Sequence, residues 1–266
     1  INNIPITFFE PNYGIKSKEC NGKNLKKCIS TSNNEFILWG DSYAMHLGDA
    51  IESSKTKISF SQVTKNTCSP VINVSKTIRY TQFADDCIKF NNDVINSVIA
   101  NKSIKFVIIS STFDFHNKRP IKHKSLYIDS FQEELIIKNL NLTISKLKEA
   151  GKRVLIISAT PSTRNNYDPA RCTINAIKRN ISSDICFFTR NEFSYKTING
   201  YNLLKKIDKE IDILWMDSIL CDENICKTSF DENPIYRDNG HLSVYGSKFI
   251  GEKFDFNKII LDKLNI

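Results

Sequence analysis

Four short apolar runs, separated by amphipathic stretches, set what this chain can fold into. They are Phe36–Trp39, the KFVIIS segment Lys105–Ser110, the RVLIIS segment Arg153–Ser158 and the IDILW segment Ile211–Trp215. Runs this short and this rich in β-branched residues read as strands covered on both faces. Helical spacing fills the gaps between them. Residues 43–53 read as a helix. In Thr81–Ile99, the residues Phe83, Ile88, Phe90, Val94, Ile95 and Val98 supply the apolar positions of a second helix. Ser130–Ala150 reads as a third, stopped by Gly151. Lys57–Val63 reads as a further strand, 111–129 as a polar loop and 171–209 as two shorter helices. Ser243 reads as the cap of a final helix running to about Leu264. Strands alternating with helices predict an α/β fold, a three-layer α/β/α sandwich with a mostly parallel sheet. In such sheets, sites gather at the carboxyl ends of the strands.

The chain has 266 residues, 41% of them apolar, enough for a sizeable core and too many for wholesale disorder. Residues 1–34 are polar and irregular, and read as an N-terminal extension packed on a main domain spanning 35–266. The eight cysteines fall in neighbouring pairs: Cys20 and Cys28, Cys68 and Cys87, Cys172 and Cys186, Cys221 and Cys226. No pair has C-x-x-C spacing and no histidine stands at zinc-finger distance, so a metal site fits poorly. Disulfides fit better and imply an oxidising compartment. Connectivity does not follow from sequence; sequential pairing is the simplest arrangement. The net charge of +8 is scattered, with no long basic block and no groove-reading motif, so nucleic acid is not an expected partner. The chain begins at Ile1 without a signal peptide or a membrane-spanning run, which fits a mature exported protein or an excised part of something larger; the favoured expectation is the soluble part of a membrane protein.

Two motifs at opposite ends carry the chemistry. Gly40-Asp41-Ser42-Tyr43 follows the first apolar run, and Asp238-Asn239-Gly240-His241 lies near the C-terminus. A serine on the turn after a strand, opening a helix, has its backbone N–H at the positive end of the helix dipole. An aspartate three residues ahead of a histidine lets one local turn hold carboxylate and imidazole together. Read as one site, the pair supplies nucleophile, base and orienter, the roles of a serine hydrolase or acyltransferase.

With these motifs the sequence resembles the SGNH (GDSL-type) hydrolase superfamily, in which a Gly-Asp-Ser block follows the first strand and an Asp-x-x-His block lies near the C-terminus. It is most similar to SGNH domains fused to membrane acyltransferases that O-acetylate bacterial surface glycans. The matching features are Trp39-Gly40-Asp41-Ser42-Tyr43-Ala44, Thr67-Cys68-Ser69-Pro70 with Cys87, Cys221 with Cys226, and Tyr236-Arg237-Asp238-Asn239-Gly240-His241-Leu242-Ser243. The resemblance covers about residues 35–255. It implies a disulfide-bonded SGNH-like domain with Ser42 as nucleophile, His241 as base and Asp238 as its orienter. It also implies oxyanion donors: the Ser42 N–H, a glycine in a second block and an asparagine in a Gly-x-Asn-Asp block. Here the third block is replaced by Ser110-Ser111-Thr112-Phe113-Asp114, and Gln62–Ser69 lacks glycine. Asn66 is the candidate second donor.

Around this core, Tyr43 and His46 are candidates for lining the substrate pocket. His116 and His123 fall in the 111–129 loop and read as exposed, and Trp39 and Trp215 read as core. Asp114 competes with Asp238 as the carboxylate but has no well-placed base. The expected activity is O-acetyl transfer to a sugar hydroxyl of a cell-surface glycan: lipopolysaccharide O-antigen, capsule or peptidoglycan. The acyl donor would come from a fused transmembrane acyltransferase domain, at the periplasmic or extracellular side of the inner membrane. No cofactor or metal is expected. Two alternatives stay open, a carbohydrate acetylesterase and a non-catalytic glycan-binding module.

Overall fold

The computed structural model describes residues 6–15, 17–23, 25–30, 34–78, 81–115, 121–164, 167–207 and 209–266. The apolar runs and the Lys57–Val63 segment enter one sheet. Its strands are β1 (Phe36–Gly40), β2 (Phe60–Thr64), β3 (Phe106–Ser110), β4 (Arg153–Ile157) and β5 (Asp212–Leu214). All neighbours are parallel, in the order β2-β1-β3-β4-β5. The helices that flank or edge it are α1 (Ser42–Ser53), α2 (Thr81–Ala100), α3 (Glu133–Glu149), α4 (Pro169–Lys178), α5 (Tyr195–Leu204), α6 (Val244–Phe254) and α7 (Phe256–Lys263).

Alternation along the strands splits the core in two, because successive side chains leave opposite faces of a sheet. Trp39, Val107, Ile109 and Ile156 join Val94 and Val98 of α2 and Leu140 and Leu147 of α3 on one side. Leu38, Ile108, Leu155 and Ile157 join Leu47 of α1, Ile250 of α6 and Ile260 of α7 on the other. The result is the expected three-layer α/β/α sandwich. From β1 the chain steps to β2, then crosses back past β1 to β3. That reversal opens a crevice beyond the carboxyl ends of β1 and β3.

Several local expectations change. The 111–129 loop contains a hairpin, Ile121–His123 with Leu126–Ile128, which adds to Val74–Lys76. Strands of three residues leave no apolar run to read. The single terminal helix is two helices, broken at Asp255, which is left-handed with φ 49°. The Asp255 carboxylate accepts from Thr56 N and Thr56 Oγ1, both at 2.8 Å, and this holds the break. Ser243 does cap α6, accepting from Gly246 N at 2.8 Å.

One seam sets the position of everything at the carboxyl edge. Helices α1 and α6 run side by side in the same direction. Ser247 Oγ donates to the His46 carbonyl, and one turn further along both helices Gly251 faces Ala50. A Cβ on Gly251 would stand 2.3 Å from the Ala50 carbonyl oxygen, so only glycine allows this approach. Parallel helices in this register bring their N-termini to the same end.

The described N-terminal residues run along β2. Asn21 bridges Thr64, Gly22 N donates to Thr64 O at 2.7 Å, and Gln62 Nε2 donates to Tyr13 O at 2.7 Å. The cysteines pair sequentially: Cys20–Cys28, Cys68–Cys87, Cys172–Cys186 and Cys221–Cys226. Among the described residues no helix is long and apolar enough to cross a membrane. The Cys68–Cys87 bond ties the loop after β2 to α2. A C68S/C87S double variant is expected to lose about 3 kcal/mol of unfolding free energy in a denaturant titration, since the bond spans 19 residues.

Candidate active site

The site begins where β1 stops. A Cβ on Gly40 would lie 1.7 Å from the Ser110 carbonyl oxygen, so β1 and β3 close on each other only over glycine. Asp41 then caps α1. Its Oδ1 accepts from Tyr43 N at 2.8 Å, a contact of the kind that stabilises a helix by about 1 kcal/mol. Its Oδ2 accepts from Ser111 Oγ at 2.7 Å, and Ser111 Oγ lies 2.9 Å from Ser69 Oγ. Asp41 therefore ties the loops after β1, β2 and β3 into one floor. With its carboxylate committed, Asp41 presents Ser42 in the first turn of α1, where backbone N–H groups have no helical acceptor.

Ser42 Oγ lies 2.9 Å from His241 Nε2. The His241 ring is aimed by its own turn. Asp238 Oδ1 accepts from the backbone N–H groups of Gly240 at 2.9 Å and His241 at 2.7 Å, a tight side-chain-to-backbone turn. Asp238 Oδ2 lies 2.9 Å from His241 Nδ1. With Nδ1–H donated to the carboxylate, Nε2 is left to accept from the serine hydroxyl. Burial pushes the Asp238 carboxyl up. The hydrogen bond and charge interaction with His241 and the two backbone N–H donors outweigh it, and hold the group well below the usual carboxylate range. Arg237 Nη2 sits 3.5 Å from the same carboxylate.

The structure thus brings Ser42, His241 and Asp238 into one hydrogen-bonded chain, across 199 residues between serine and histidine. It opens on a pocket of about 520 Å³ that Tyr43, Asn66, Thr112, Lys196 and Arg237 also line. Asn66 is exposed at the end of β2, its backbone N–H donating to Asn21 Oδ1 at 2.9 Å. Tyr43 lies against His241, ring centroids 4.6 Å apart, with its phenol pushed up by burial. Gly240 closes over it: a Cβ there would stand 2.6 Å from the Tyr43 hydroxyl. Asp114 lines the same pocket, while the imidazole pairs with Asp238.

His46 does not line the pocket. It is 1% exposed, one turn below Ser42, and its Nδ1 accepts from Leu242 N at 3.3 Å. Helical spacing aims it at the seam with α6 and away from the crevice. Its job is to hold the backbone beside His241. Burial, with His241 and Arg237 adding in the same direction, keeps its pKa well below the ordinary histidine value. His123 lines a separate depression with Asn73 and Lys124. His116 lies outside the described residues. Ser111, Ser69, Thr112 and Arg237 carry no signal as single residues in the sequence. The missing Asn of the third block was the one pointer to Ser111 and Thr112.

A family model for the SGNH domain fused to AT3 domains matches residues 15–256. The chain belongs to that family. The periplasmic domain of a Salmonella ser. Paratyphi A lipopolysaccharide acetyltransferase shares the fold, with a TM-score of 0.69 and 21% sequence identity. The match covers 97% of this chain and 98% of that one. No match was found among curated proteins.

Two titration experiments check this SGNH site. Because the Asp238 pKa is lowered by folding, its contribution to stability is present above the unfolded carboxylate value of about 4 and is lost as pH falls below it. The stability gap between the native chain and Asp238→Asn is expected to close in acid. In nitrogen-resolved NMR, the His46 ring is expected to stay neutral, with the proton on Nε2, at pH values where an ordinary histidine is already charged.

Proposed function

We propose that the chain is a serine-dependent O-acyltransferase that moves an acetyl group through an ester on Ser42 to a sugar hydroxyl of a bacterial cell-surface glycan. The observation that carries the reading is the unbroken Asp238–His241–Ser42 chain facing an open pocket. Ser42 Oγ attacks the acyl carbonyl as His241 Nε2 takes its proton. The tetrahedral oxyanion is held by the Ser42 N–H at the positive end of α1, with Asn66, which lines the same pocket, as the second donor. His241 returns the proton to the departing donor group. A glycan hydroxyl then gives its proton to Nε2 and attacks the ester, and collapse frees Ser42. Asp238 steadies the imidazolium in both halves.

Family membership supports the partners. SGNH domains of this kind are fused to AT3 domains, consistent with an acyl donor delivered from a membrane acyltransferase. The similar solved domain belongs to a lipopolysaccharide acetyltransferase and is named as periplasmic. We place this chain likewise on the periplasmic side of the inner membrane, as the soluble domain of a membrane protein. Lipopolysaccharide O-antigen, capsule and peptidoglycan all supply suitable hydroxyls.

One observation favours a second reading, a carbohydrate acetylesterase. The His241 side chain is 23% exposed, so water as well as sugar reaches the base. A purified chain given p-nitrophenyl acetate, with and without surface glycan, separates the two: transfer puts acetyl on the glycan, hydrolysis releases acetate alone. Ser42→Ala is expected to lower turnover by roughly 10⁴-fold. Full activity in that variant would refute the assignment, and failure of Ser42 to react with a fluorophosphonate in the folded protein would favour a non-catalytic binding module.

A further inference from the structure

We infer that the hollow beside Trp215, with the exposed Tyr195 in the segment that separates it from the Ser42 pocket, is a sugar subsite that holds the acceptor glycan at a residue away from the reacting hydroxyl. The inference rests on the acyl-transfer reading for its purpose, and on separate residues for its evidence. Trp215 directly follows β5, as Ser42 follows β1 by two residues, so both stand at the carboxyl edge of the sheet. The hollow has a volume of about 510 Å³, and its lining includes Arg190, Phe193, Tyr201, Asn202, Trp215 and Ser218.

It shares a wall with the Ser42 pocket. In the segment 193–198, Phe193 and Ile198 line the hollow, while Ser194 and Lys196 line the pocket. Tyr195 stands between them and is 73% exposed, the most exposed of the large apolar side chains among the described residues. The wall is fixed. Ser194 N donates to Ser162 O at 2.7 Å, Ser162 N donates to Thr197 Oγ1 at 3.0 Å, and Thr163 N donates to Asn239 O at 3.0 Å. Through Asn239 the wall is joined to the turn that carries Asp238 and His241. A chain lying across it is therefore held in register with the reacting atoms.

The chemistry suits a pyranose, which offers an apolar C–H face and a rim of hydroxyls. The two tryptophans of the chain differ in this respect. Trp39 is fully buried and its Nε1 donates to Asn91 Oδ1 at 3.3 Å. Trp215, expected as core, packs against both halves of the core but is only half-buried, and among the described residues no acceptor meets its Nε1. Tyr201 supports the indole edge-on, ring centroids 5.1 Å apart. The polar rim is made by Asn202 and Ser218, and by Arg190, whose guanidinium is held by Asp217 and by the carbonyls of Glu223 and Asp222. An aromatic face with a few fixed polar groups is the usual make-up of a small-ligand site.

The test uses tryptophan emission. The probe is polysaccharide released by mild acid from the surface of the cells that encode this chain. Its titration is expected to change the emission saturably, and Trp215→Phe to abolish the change while buried Trp39 stays silent. Trp215→Ala and Tyr195→Ala are each expected to lower kcat/KM for acetyl transfer to the glycan by about tenfold relative to kcat/KM for p-nitrophenyl acetate. A variant that simply folds poorly lowers both together and leaves the ratio unchanged. Unchanged emission at glycan concentrations that support transfer overturns the subsite, as does an unchanged ratio in both variants. A saturable emission change without any transfer upholds the subsite and counts against acyl transfer.

Discussion

The close parallel contact between α1 and α6 is the constraint on which the rest of the molecule's chemistry depends. Ser247 bonding to the His46 carbonyl and Gly251 pressed on Ala50 fix the two helices in one register. Ser42 opens the first helix, and His241 lies two residues before the cap of the second. Residues far apart in sequence therefore meet without any long loop having to be ordered. His46 tightens the same seam from within α1 by accepting the Leu242 N–H. Both helix N-termini, each the positive end of its helix dipole, lie at this end of the molecule.

Labour is divided between the two aspartates of the motifs. Asp41 is consumed by structure: it caps α1 and binds Ser111, so its carboxylate holds the floor in place. Asp238 is consumed by orientation: two backbone N–H groups shape the turn and the imidazole takes the other oxygen. The same residue type performs two tasks because its donors differ, in one case a helix terminus and a hydroxyl, in the other a local turn and an imidazole ring.

Much of this was legible in the sequence. Buried strands announce themselves as apolar runs, so the central sheet could be read from Phe36–Trp39, KFVIIS, RVLIIS and IDILW. Gly-Asp-Ser and Asp-x-x-His were readable because each is a local turn whose chemistry lies in adjacent residues. What depends on packing between distant segments was not. His46 looked like a pocket residue because its spacing from Ser42 was visible and its burial against α6 was not. Ser111 looked like a lost asparagine, although its hydroxyl holds Asp41. The break at Asp255 is set by Thr56, nearly two hundred residues earlier, and the hairpin after Phe115 has strands too short to show a period. The half-buried indole of Trp215 gave the same apolar signal as the buried indole of Trp39.

The proposed chemistry requires that Ser42 carry the acyl group. The most direct measurement is intact-mass and peptide mass spectrometry of the chain quenched in acid during turnover of an acetyl ester, compared with His241→Gln. One added acetyl group is expected, mapped to the peptide containing Ser42, that disappears when glycan acceptor is added and does not form without His241. An acetyl group on another residue, or steady turnover with Ser42 never modified under conditions that trap serine esters, would contradict it.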